Sequence, residues 1–392
     1  MSLFHSKDKP LKPLPFPIYY WTVISLALAG LLNSIYLAIS HYRVYTDIGY
    51  RSFCAISQSI NCDTVSQSPY SIFLGIPVPF WGIIGYLFML LVMALAWSKP
   101  AEDKHLWALL FLVSAAYSIY SIFLALISTF LIHSYCMMCI VSYGINFLLL
   151  FYTWMIRKRF ESGGIFDALR QDIGFLNYQK KRCITYFSPF IIAVILMLIF
   201  FPTYWSFESP TLSAYIPHGV NENGHPWVGA ENPQFEIIEF TDYQCFQCNK
   251  MHFFLRQFLV KHPGKIRLIH RHFPMDHEVN PIVKKPLHMG SGKLAMLTIY
   301  AATQNKFWQM SDLLFSIARV KPVINIKQLA EETGLNYEEL SRAVYDPKIQ
   351  YSLKRDIIDA LKLGVTGTPS FVVDGKVYQG QIPPEIIKKI LG

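Results

Sequence analysis

The sequence predicts an all-α membrane domain of five transmembrane helices, followed by an α/β domain outside the membrane. Three observations support this fold class. The chain is 53% hydrophobic and only 16% charged, whereas an ordinary soluble domain has about 25% charged residues. Asp, Glu, Lys and Arg are absent from four long stretches, residues 13–42, 64–98, 106–156 and 183–207. Beyond residue 229 the composition becomes that of a normally charged globular domain.

The uncharged stretches are long enough for five membrane spans, because one transmembrane helix needs about 20 largely apolar residues. The third stretch has room for two helices, with His133 and Ser134 near the turn between them. Buried core helices are the alternative, but they rarely stay uncharged for so long. The first span is too long for a removable signal peptide and is expected to remain as a helix. The predicted spans are 18–40, 76–97, 106–131, 135–156 and 185–205.

The distribution of Lys and Arg predicts the orientation of these spans. Loop 42–75 carries only Arg43 and Arg51, whereas the connections on the other side are basic. By the positive-inside rule the N-terminus is cytoplasmic, and loop 42–75 and everything after Trp205 lie outside. We therefore expect a multi-pass protein of the bacterial inner (cytoplasmic) membrane, with its C-terminal domain on the periplasmic, extracytoplasmic side. The basic residues on the predicted cytoplasmic side are Lys7, Lys9, Lys12, Lys99, Lys104, Arg157, Lys158, Arg159, Arg170, Lys180, Lys181 and Arg182.

The same patterns divide the chain into segments and account for its net charge of +9. Most of the basic excess precedes residue 207, so it is a topology signal and predicts no nucleic-acid partner. The stretch 206–228 is rich in Pro, Gly, Asn and Ser, which predicts a linker. The predicted segments are a cytoplasmic N-terminus (1–17), a four-helix membrane domain (18–156), a basic cytoplasmic loop (157–184), a fifth transmembrane helix (185–205), the linker (206–228) and the C-terminal domain (229–392).

Six of the seven cysteines fall on the predicted outer side, where they form three pairs. One pair lies in loop 42–75, one opens the fourth span at its outer end, and one lies in the C-terminal domain. Pairs in an oxidising compartment are typical of disulfide chemistry. Cys183, on the cytoplasmic side, is most simply a small apolar residue at a helix start, with lipidation as the alternative. The three pairs are Cys54 and Cys62, Cys136 and Cys139, and Cys245 and Cys248.

The pair in the C-terminal domain lies where a predicted strand runs into a predicted helix. Residues 235–240 alternate as a strand, and Cys245-Phe246-Gln247-Cys248 then opens a helical pattern. The free N–H groups of a helix N-terminus stabilise a thiolate on the first cysteine, and the second resolves the mixed disulfide. A structural zinc site is the alternative, but His270, His272 and His277 do not have metal-ligand spacing. We therefore expect no metal.

Four motifs mark residues 229–391. They are the strand into Cys245-x-x-Cys248, then Arg271-His272-Phe273-Pro274, a helical insertion with Gln304-Asn305-Lys306-Phe307-Trp308, and Gly367-Thr368-Pro369. Together they resemble the DsbA-like branch of the thioredoxin superfamily. The resemblance implies an α/β thioredoxin-like fold with a helical insertion, in which Pro369 is cis and Thr368 and Pro369 pack beside Cys245 to bind substrate backbone. Strongly oxidising members often have His before the second cysteine; Gln247 stands there in this chain and predicts a milder oxidant.

The membrane domain carries a second set of motifs. They are Cys54, Cys62-Asp63-x-Val65, Ser68-x-Tyr70-Ser71-Ile72-x-x-Gly75-Ile76-Pro77, Trp81-Gly82-x-x-x-Tyr86 and Cys136-x-x-Cys139-x-x-x-Tyr143-x-x-Asn146. Over residues 18–156 they resemble the vitamin K epoxide reductase family. The resemblance implies a four-helix bundle holding a quinone next to Cys139, with Ser71 and Tyr143 lining the pocket, and a loop pair that passes electrons to Cys136. Pro77-Val78-Pro79 lacks the Asn with which the animal enzymes contact the vitamin, which favours plain quinone reduction over epoxide reduction.

Together the motifs predict a quinone-dependent, disulfide-forming oxidoreductase that supports oxidative protein folding. We expect electrons to pass from reduced secreted or periplasmic proteins to Cys245/Cys248, then to Cys54/Cys62, then to Cys136/Cys139, and finally to ubiquinone or menaquinone in the lipid bilayer. One alternative is a transporter that carries reducing equivalents outward; it would need a cysteine pair reachable from both sides. Another is a membrane-tethered chaperone without redox turnover, which would be indifferent to loss of Cys136 or Cys139.

Overall fold

The computed structural model describes residues 14–47, 49–56, 59–97, 105–160, 164–205, 216–317 and 324–391. The chain forms two compact units, one of residues 1–46 and 50–203 and the other of residues 47–49 and 204–392. Part of the predicted linker (206–215) and five of the predicted cytoplasmic basic residues lie outside the described residues. These five are Lys7, Lys9, Lys12, Lys99 and Lys104.

The first unit is mainly helical, and five of its described helices are long and apolar enough to cross a membrane. The predicted number and order of spans are thereby confirmed. The first helix is longer than predicted, because it continues through His41 and Arg43 to Thr46. The elements are α1 (Phe16–Thr46), α2 (Cys62–Gln67), β1 (Ile72–Phe73), β2 (Ile76–Pro77), α3 (Val78–Ala96), α4 (Trp107–Ile127) with a π-helical turn (Ser128–Ile132), α5 (Met137–Phe160), α6 (Ile165–Tyr178) and α7 (Lys180–Phe200).

Small residues allow the membrane helices to approach one another closely. A Cβ atom at Gly30 of α1 would lie 2.3 Å from the ring of Tyr86 on α3. One at Gly85 of α3 would lie 2.5 Å from the hydroxyl of Tyr117 on α4. The Tyr86 hydroxyl also donates a 2.7 Å hydrogen bond to Asn146 Oδ1 on α5. Close approach at small residues and buried polar pairs hold helices together in lipid, where the hydrophobic effect between helices is weak.

The segment predicted as a basic loop, residues 157–184, contains the helix α6. Asp172 of α6 accepts hydrogen bonds from the N–H groups of Leu106 (2.5 Å) and Leu109 (3.1 Å) at the start of α4. A carboxylate in this position satisfies N–H groups that have no partner within their own helix, and it interacts favourably with the helix dipole. Cys183 lies in α7, half-buried against the bundle core, as expected for a small apolar residue.

The second unit is a six-stranded sheet with helices packed against it, the predicted α/β fold with a helical insertion. The strand order is β3-β4-β6-β5-β7-β8, with β5 and β6 parallel and the other neighbours antiparallel. The elements are β3 (His218–Val220), β4 (Pro226–Gly229), β5 (Phe235–Thr241), α8 (Phe246–Lys261), β6 (Ile266–His272), α9 (Ser291–Thr303), α10 (Phe307–Ile317), α11 (Ile326–Thr333), α12 (Tyr337–Arg342), α13 (Pro347–Lys362), β7 (Ser370–Val373), β8 (Lys376–Gln379) and α14 (Pro384–Leu391).

The sheet separates two buried cores, and successive side chains of β5 point alternately into one and the other. Ile237 belongs to the core that includes α8 and α14, whereas Ile238 and Phe240 belong to the core formed with the helical insertion. This alternation follows from the two-residue period of a strand. Since β5 is central and buried on both faces, the turn that follows it is held rigidly.

The prediction that residues 206–228 form a linker is wrong for its second half, which contains the two short strands β3 and β4. β3 and β4 pair with each other, and β4 pairs with β6, so residues 218–228 belong largely to the sheet. Their Pro, Gly and Asn content is compatible with an edge hairpin as well as with a linker, which explains the wrong assignment. Another hairpin lies near the C-terminus, where β7 pairs with β8. Asp374 and Gly375 have φ of +49° and +74°, the left-handed values of a tight two-residue turn.

Candidate active site

The first cysteine pair is a disulfide in the predicted outer loop. Cys54 and Cys62 are bonded, with their Cα atoms 5.7 Å apart. Cys62 begins α2, and the side chain of Asn61 caps this helix by accepting from Asp63 N (3.0 Å) and Thr64 N (3.2 Å). An Asn cap of this kind fixes the direction in which a short helix starts. The position of the Cys62 sulfur is therefore set by local hydrogen bonding.

A short parallel bridge joins this loop to the chain just before the second pair. Ile60 pairs with Tyr135, with Asn61 N donating to Tyr135 O (2.9 Å) and Tyr135 N donating to Ser59 O (2.8 Å). The bridge brings together the residues that follow Ile60 and Tyr135. As a result Cys54, Cys62 and Cys136 pack in one buried cluster with Leu37, and Cys139 lies at its edge.

The second pair consists of free thiols at the start of α5. Cys136 immediately precedes Met137, the first residue of the helix, and its sulfur accepts a 3.1 Å hydrogen bond from Cys139 N. This is a helix N-terminal position, which favours the thiolate form of Cys136. Asn33 of α1 fixes the first turn of α5 by donating to Met138 O (2.9 Å) and Ser142 Oγ (2.7 Å).

Cys139 opens onto a cavity of about 580 Å³ within the bundle. The cavity is lined mainly by apolar and aromatic side chains, and it also receives Ser71 and Tyr143, the two predicted pocket residues. His41 lines it as well, with Nε2 3.3 Å from Ser71 Oγ. Sequence reasoning missed His41, because a single histidine near the end of an apolar helix carries no motif. An ionisable residue inside a membrane helix is a marker of function.

Another part of the cavity wall is held by a polar network. Asn146 accepts from the Tyr86 hydroxyl (2.7 Å) and donates to Ser121 Oγ (2.9 Å), and all three residues line the cavity. Because the oxygen and the nitrogen of the Asn146 amide both have a partner, this network connects α3, α4 and α5. The cavity is thus a preformed space with one thiol, a few polar groups and otherwise apolar walls, which suits a flat, apolar, redox-active ring.

The third pair lies at the start of α8 in the second unit. Cys245 is the N-cap, and its sulfur accepts from Cys248 N (3.3 Å). The hydrogen bond with the Cys248 thiol lowers the pKa of Cys245 to about 7, against the opposing effect of burial. Burial and the neighbouring Cys245 raise the pKa of Cys248 well above its usual value. Cys245 is accordingly the nucleophile of the pair and Cys248 the resolving thiol.

The Thr368–Pro369 peptide bond lies directly beside this pair. The bond is cis, as the resemblance implied. The Cys245 thiol approaches Thr368 O at 3.5 Å, so the predicted substrate-binding residues and the predicted nucleophile are brought together. A backbone carbonyl in this position can align an extended peptide next to the reacting sulfur.

Other ionisable groups of the second unit were not predicted as part of a site. His288 Nδ1 lies 3.0 Å from Asp242 Oδ2, in the turn before Cys245. Deeper in the sheet, Glu239 Oε1 lies 2.8 Å from His270 Nδ1, and burial raises the pKa of Glu239 to about 7. Among the residues that the structure describes, no group of His, Cys, Asp and Glu side chains could hold a metal ion.

Comparison with known families divides the chain in the same way. The vitamin K epoxide reductase family matches residues 21–154, and a thioredoxin family matches residues 221–392. Two solved structures resemble the chain in part. One is a thioredoxin-like oxidoreductase from Silicibacter pomeroyi DSS-3, with 24% identity, a TM-score of 0.35, and coverage of 44% of this chain and 91% of that chain. The other is the thiol-disulfide exchange protein alpha-DsbA2 from Wolbachia pipientis, with 20% identity, a TM-score of 0.34, and coverage of 42% and 84%.

Curated relatives match different shares of the chain. The Na(+)/H(+) antiporter NhaA 3 of Salinispora tropica is 24% identical over 152 residues, and the chain spans only 22% of its length. Vitamin K epoxide reductase complex subunit 1 of Mus musculus is 31% identical over 133 residues, which cover 81% of that protein. The chain therefore belongs to the vitamin K epoxide reductase family and carries a thioredoxin-like domain after its membrane helices.

Proposed function

We propose that this protein forms disulfide bonds in other proteins and passes the electrons to a lipid quinone. Electrons move from client thiols to Cys245/Cys248, then to Cys54/Cys62, then to Cys136/Cys139 and to ubiquinone or menaquinone. The observation that carries the proposal is the Ile60–Tyr135 bridge, which packs the loop disulfide against Cys136 while Cys139 faces the cavity. A relay needs this adjacency, because each disulfide exchange requires contact between the reacting sulfurs.

The step between the two membrane pairs is a thiol–disulfide exchange. In the reduced loop pair, the Cys62 thiolate attacks Cys136 of an oxidised Cys136–Cys139 bond and releases Cys139 as a thiolate. Cys54 then attacks Cys62, the mixed disulfide breaks, and Cys136 leaves as a thiolate. The loop pair is oxidised by two electrons and Cys136/Cys139 is reduced by two. The hydrogen bond that Cys139 N–H donates to the Cys136 sulfur stabilises a negative charge on this sulfur, so Cys136 can leave as a thiolate.

The cavity next to Cys139 fits the head group of a quinone. A bound quinone supplies an acceptor for the two electrons and two protons that Cys136 and Cys139 lose when their disulfide forms. Cys139 offers its thiol at the wall of the cavity, while Ser71 and Tyr143 offer hydroxyl groups that can hold polar ring oxygens. His41, next to Ser71, offers a further polar group on the same side of the cavity. The apolar lining excludes water and accepts the ring and tail.

The soluble unit is proposed to act on clients outside the cytoplasm. A client thiolate attacks Cys245 of the oxidised Cys245–Cys248 bond and releases Cys248 as a thiolate; a second client thiolate then breaks the mixed disulfide and releases Cys245. The cis-Pro segment at Thr368 and Pro369 holds the client backbone beside Cys245. Linkage to the membrane unit by one chain supplies a high effective concentration, so transfer between the two units does not need a tight interface.

Purified full-length protein is expected to reduce a soluble ubiquinone analogue when it is given a reduced dithiol peptide. Loss of the quinone, followed by its ultraviolet absorbance, should match formation of the peptide disulfide one to one, that is, one quinone for every two peptide thiols lost, since each process involves two electrons. Cys183→Ala is the matched control, because Cys183 is a half-buried cysteine outside the three pairs, and it should leave the rate unchanged. Peptide oxidation without quinone loss would contradict the proposed acceptor.

Topology gives a separate prediction. The last turn of α5 contains three basic residues, Arg157, Lys158 and Arg159. The Arg159 guanidinium donates a 2.5 Å hydrogen bond to the Tyr19 hydroxyl near the start of α1. One end of the bundle is therefore basic, and the loop with Cys54 and Cys62 lies at the other end. By the positive-inside rule, a periplasm-dependent reporter fused after Gly392 should be active, and one fused after Arg159 should be inactive. If instead the fusion after Arg159 were active and the fusion after Gly392 inactive, the orientation would be opposite to the predicted one. The relay could then not operate outside the cytoplasm.

A further inference from the structure

A histidine that is distant in sequence lies beside the Cys245 turn. His288 Nδ1 is 3.0 Å from Asp242 Oδ2. Asp242 belongs to the turn that leads into α8, and its carbonyl accepts the N–H of Cys245 (3.1 Å). Asp242 is 1% exposed, whereas His288 is half-buried and can exchange protons with solvent. The ion pair therefore joins the turn before the nucleophile to a loop that contains neither cysteine motif.

Further hydrogen bonds hold the loop that carries His288 against this turn. Asp242 Oδ2 also accepts from Ser291 Oγ (3.0 Å), three residues after the histidine. Gln244 Nε2 donates to Met289 O (3.0 Å), so the residue next to His288 is held as well. These bonds involve side chains from both segments, and each fixes the loop against the turn. His288 thus has a defined position with respect to Cys245.

The charges around the sulfur do not favour a thiolate without this histidine. The groups that act electrostatically on Cys245 are Cys248, Asp242 and His288, and Asp242 opposes a negative sulfur whereas His288 favours it. The groups that act on His288 are Asp242, Cys245 and Asp276. Burial lowers the pKa of His288, but the charge and hydrogen bond of Asp242 outweigh it and raise the pKa to about 9. At neutral pH the histidine is therefore a cation that offsets the buried carboxylate.

We propose that His288, oriented by Asp242, is the cationic positioning residue that stabilises the Cys245 thiolate and so strengthens the soluble unit as an oxidant. A C-x-x-C domain becomes more oxidising when its reduced, thiolate form is stabilised. Gln247, inside the motif, is neutral and cannot supply this charge. His288 supplies this charge from another loop, so the proposal predicts a stronger oxidant than Gln247 alone predicts. The inference rests on the proposed role of Cys245 as the exchanging thiol.

The test measures the acidity of Cys245 in the reduced full-length protein. Iodoacetamide alkylation is followed over a pH series, and mass spectrometry of the peptide containing Cys245 reports its modification separately from the other thiols. His288→Gln is expected to raise the pKa of Cys245 by about one unit, which lowers the thiolate fraction at pH 7 about fivefold. His288→Lys retains a cation and should stay within about twofold of the unsubstituted protein. His277→Gln, in the same loop, is the control and should change nothing.

Two results would overturn the proposal. One is an unchanged alkylation midpoint in His288→Gln. The other is an equal loss in His288→Gln and His288→Lys, which would mean that the imidazole acts through the shape of the loop rather than its charge. Thermal unfolding of the variants shows that the comparison is made on folded protein. Alkylation needs neither quinone nor client, so a failure of the proposed quinone route leaves this result unaffected.

Discussion

Replacement of Cys139 by alanine is expected to abolish quinone reduction, with a loss of at least about 10³-fold in rate, the scale seen when a reacting nucleophile is removed. The reason is geometric. Of the two thiols in this pair, Cys139 lines the cavity, whereas Cys136 is buried in the cluster with the loop disulfide. Cys139 lies three residues further along α5, about 4.5 Å by helix rise. Without it, the remaining thiol can exchange with the loop but cannot reach the electron acceptor.

The same variant should accumulate a Cys62–Cys136 mixed disulfide. The Cys136 thiolate attacks Cys62 of the loop disulfide and releases Cys54, and Cys139 is no longer present to compete for Cys136. Blocking free thiols with an alkylating reagent, followed by peptide mapping under non-reducing conditions, would identify the bond. Ser142→Ala is a suitable comparison, because Ser142 also lines the cavity but has no redox chemistry. Quinone reduction by Cys139→Ala at the normal rate would show that Cys136 is the contact instead.

The membrane helices were predictable because a span of about 20 apolar residues is a strong signal that needs no tertiary information. The ends of these helices were harder to predict. α1 extends through His41 and Arg43 to Thr46, since backbone hydrogen bonding continues where the apolar pattern stops. α6 and the β3–β4 pair were missed because contacts with distant parts of the chain stabilise them. Asp172 of α6 accepts a hydrogen bond from Leu106 at the start of α4, and β4 pairs with β6.

The cysteine pairs were predictable from their spacing, whereas the cis proline followed only from the resemblance to the DsbA-like branch. The ionisable residues beside them were not predictable. His41 lies 3.3 Å from Ser71, which is 30 residues away in the sequence, and His288 lies 3.0 Å from Asp242, which is 46 residues away. A lone histidine has no spacing to identify it, and its role depends on which side chains the folded chain brings near it.

Loss of Cys54 should separate the two sources of electrons. The Cys54→Ala variant is expected to keep quinone reduction by dithiothreitol within about threefold, but to lose at least about 100-fold in transfer from Cys245/Cys248, as expected when an obligatory exchanging thiol is removed. Cys62 comes two residues after Ile60, which pairs with Tyr135, and it packs in the same buried cluster as Cys136. In the proposed relay, Cys54 is therefore the sulfur that exchanges with Cys245/Cys248. Its neighbours Phe53 and Ile56 are exposed, so this part of the loop is at the surface.

Both sulfurs of the loop disulfide are nonetheless buried, so the segment around Cys54 has to move when a large thiol donor approaches. A small dithiol avoids this step by reducing Cys136/Cys139 directly, which is why the variant should distinguish the two donors. Ser52→Ala is the matched control, because Ser52 Oγ lies 3.6 Å from the Cys54 sulfur and takes no part in the exchange; both rates should remain near normal. If Cys54→Ala oxidised the fused domain at the normal rate, the loop would not be an obligatory carrier. Electrons would then pass from Cys245/Cys248 straight to Cys136/Cys139.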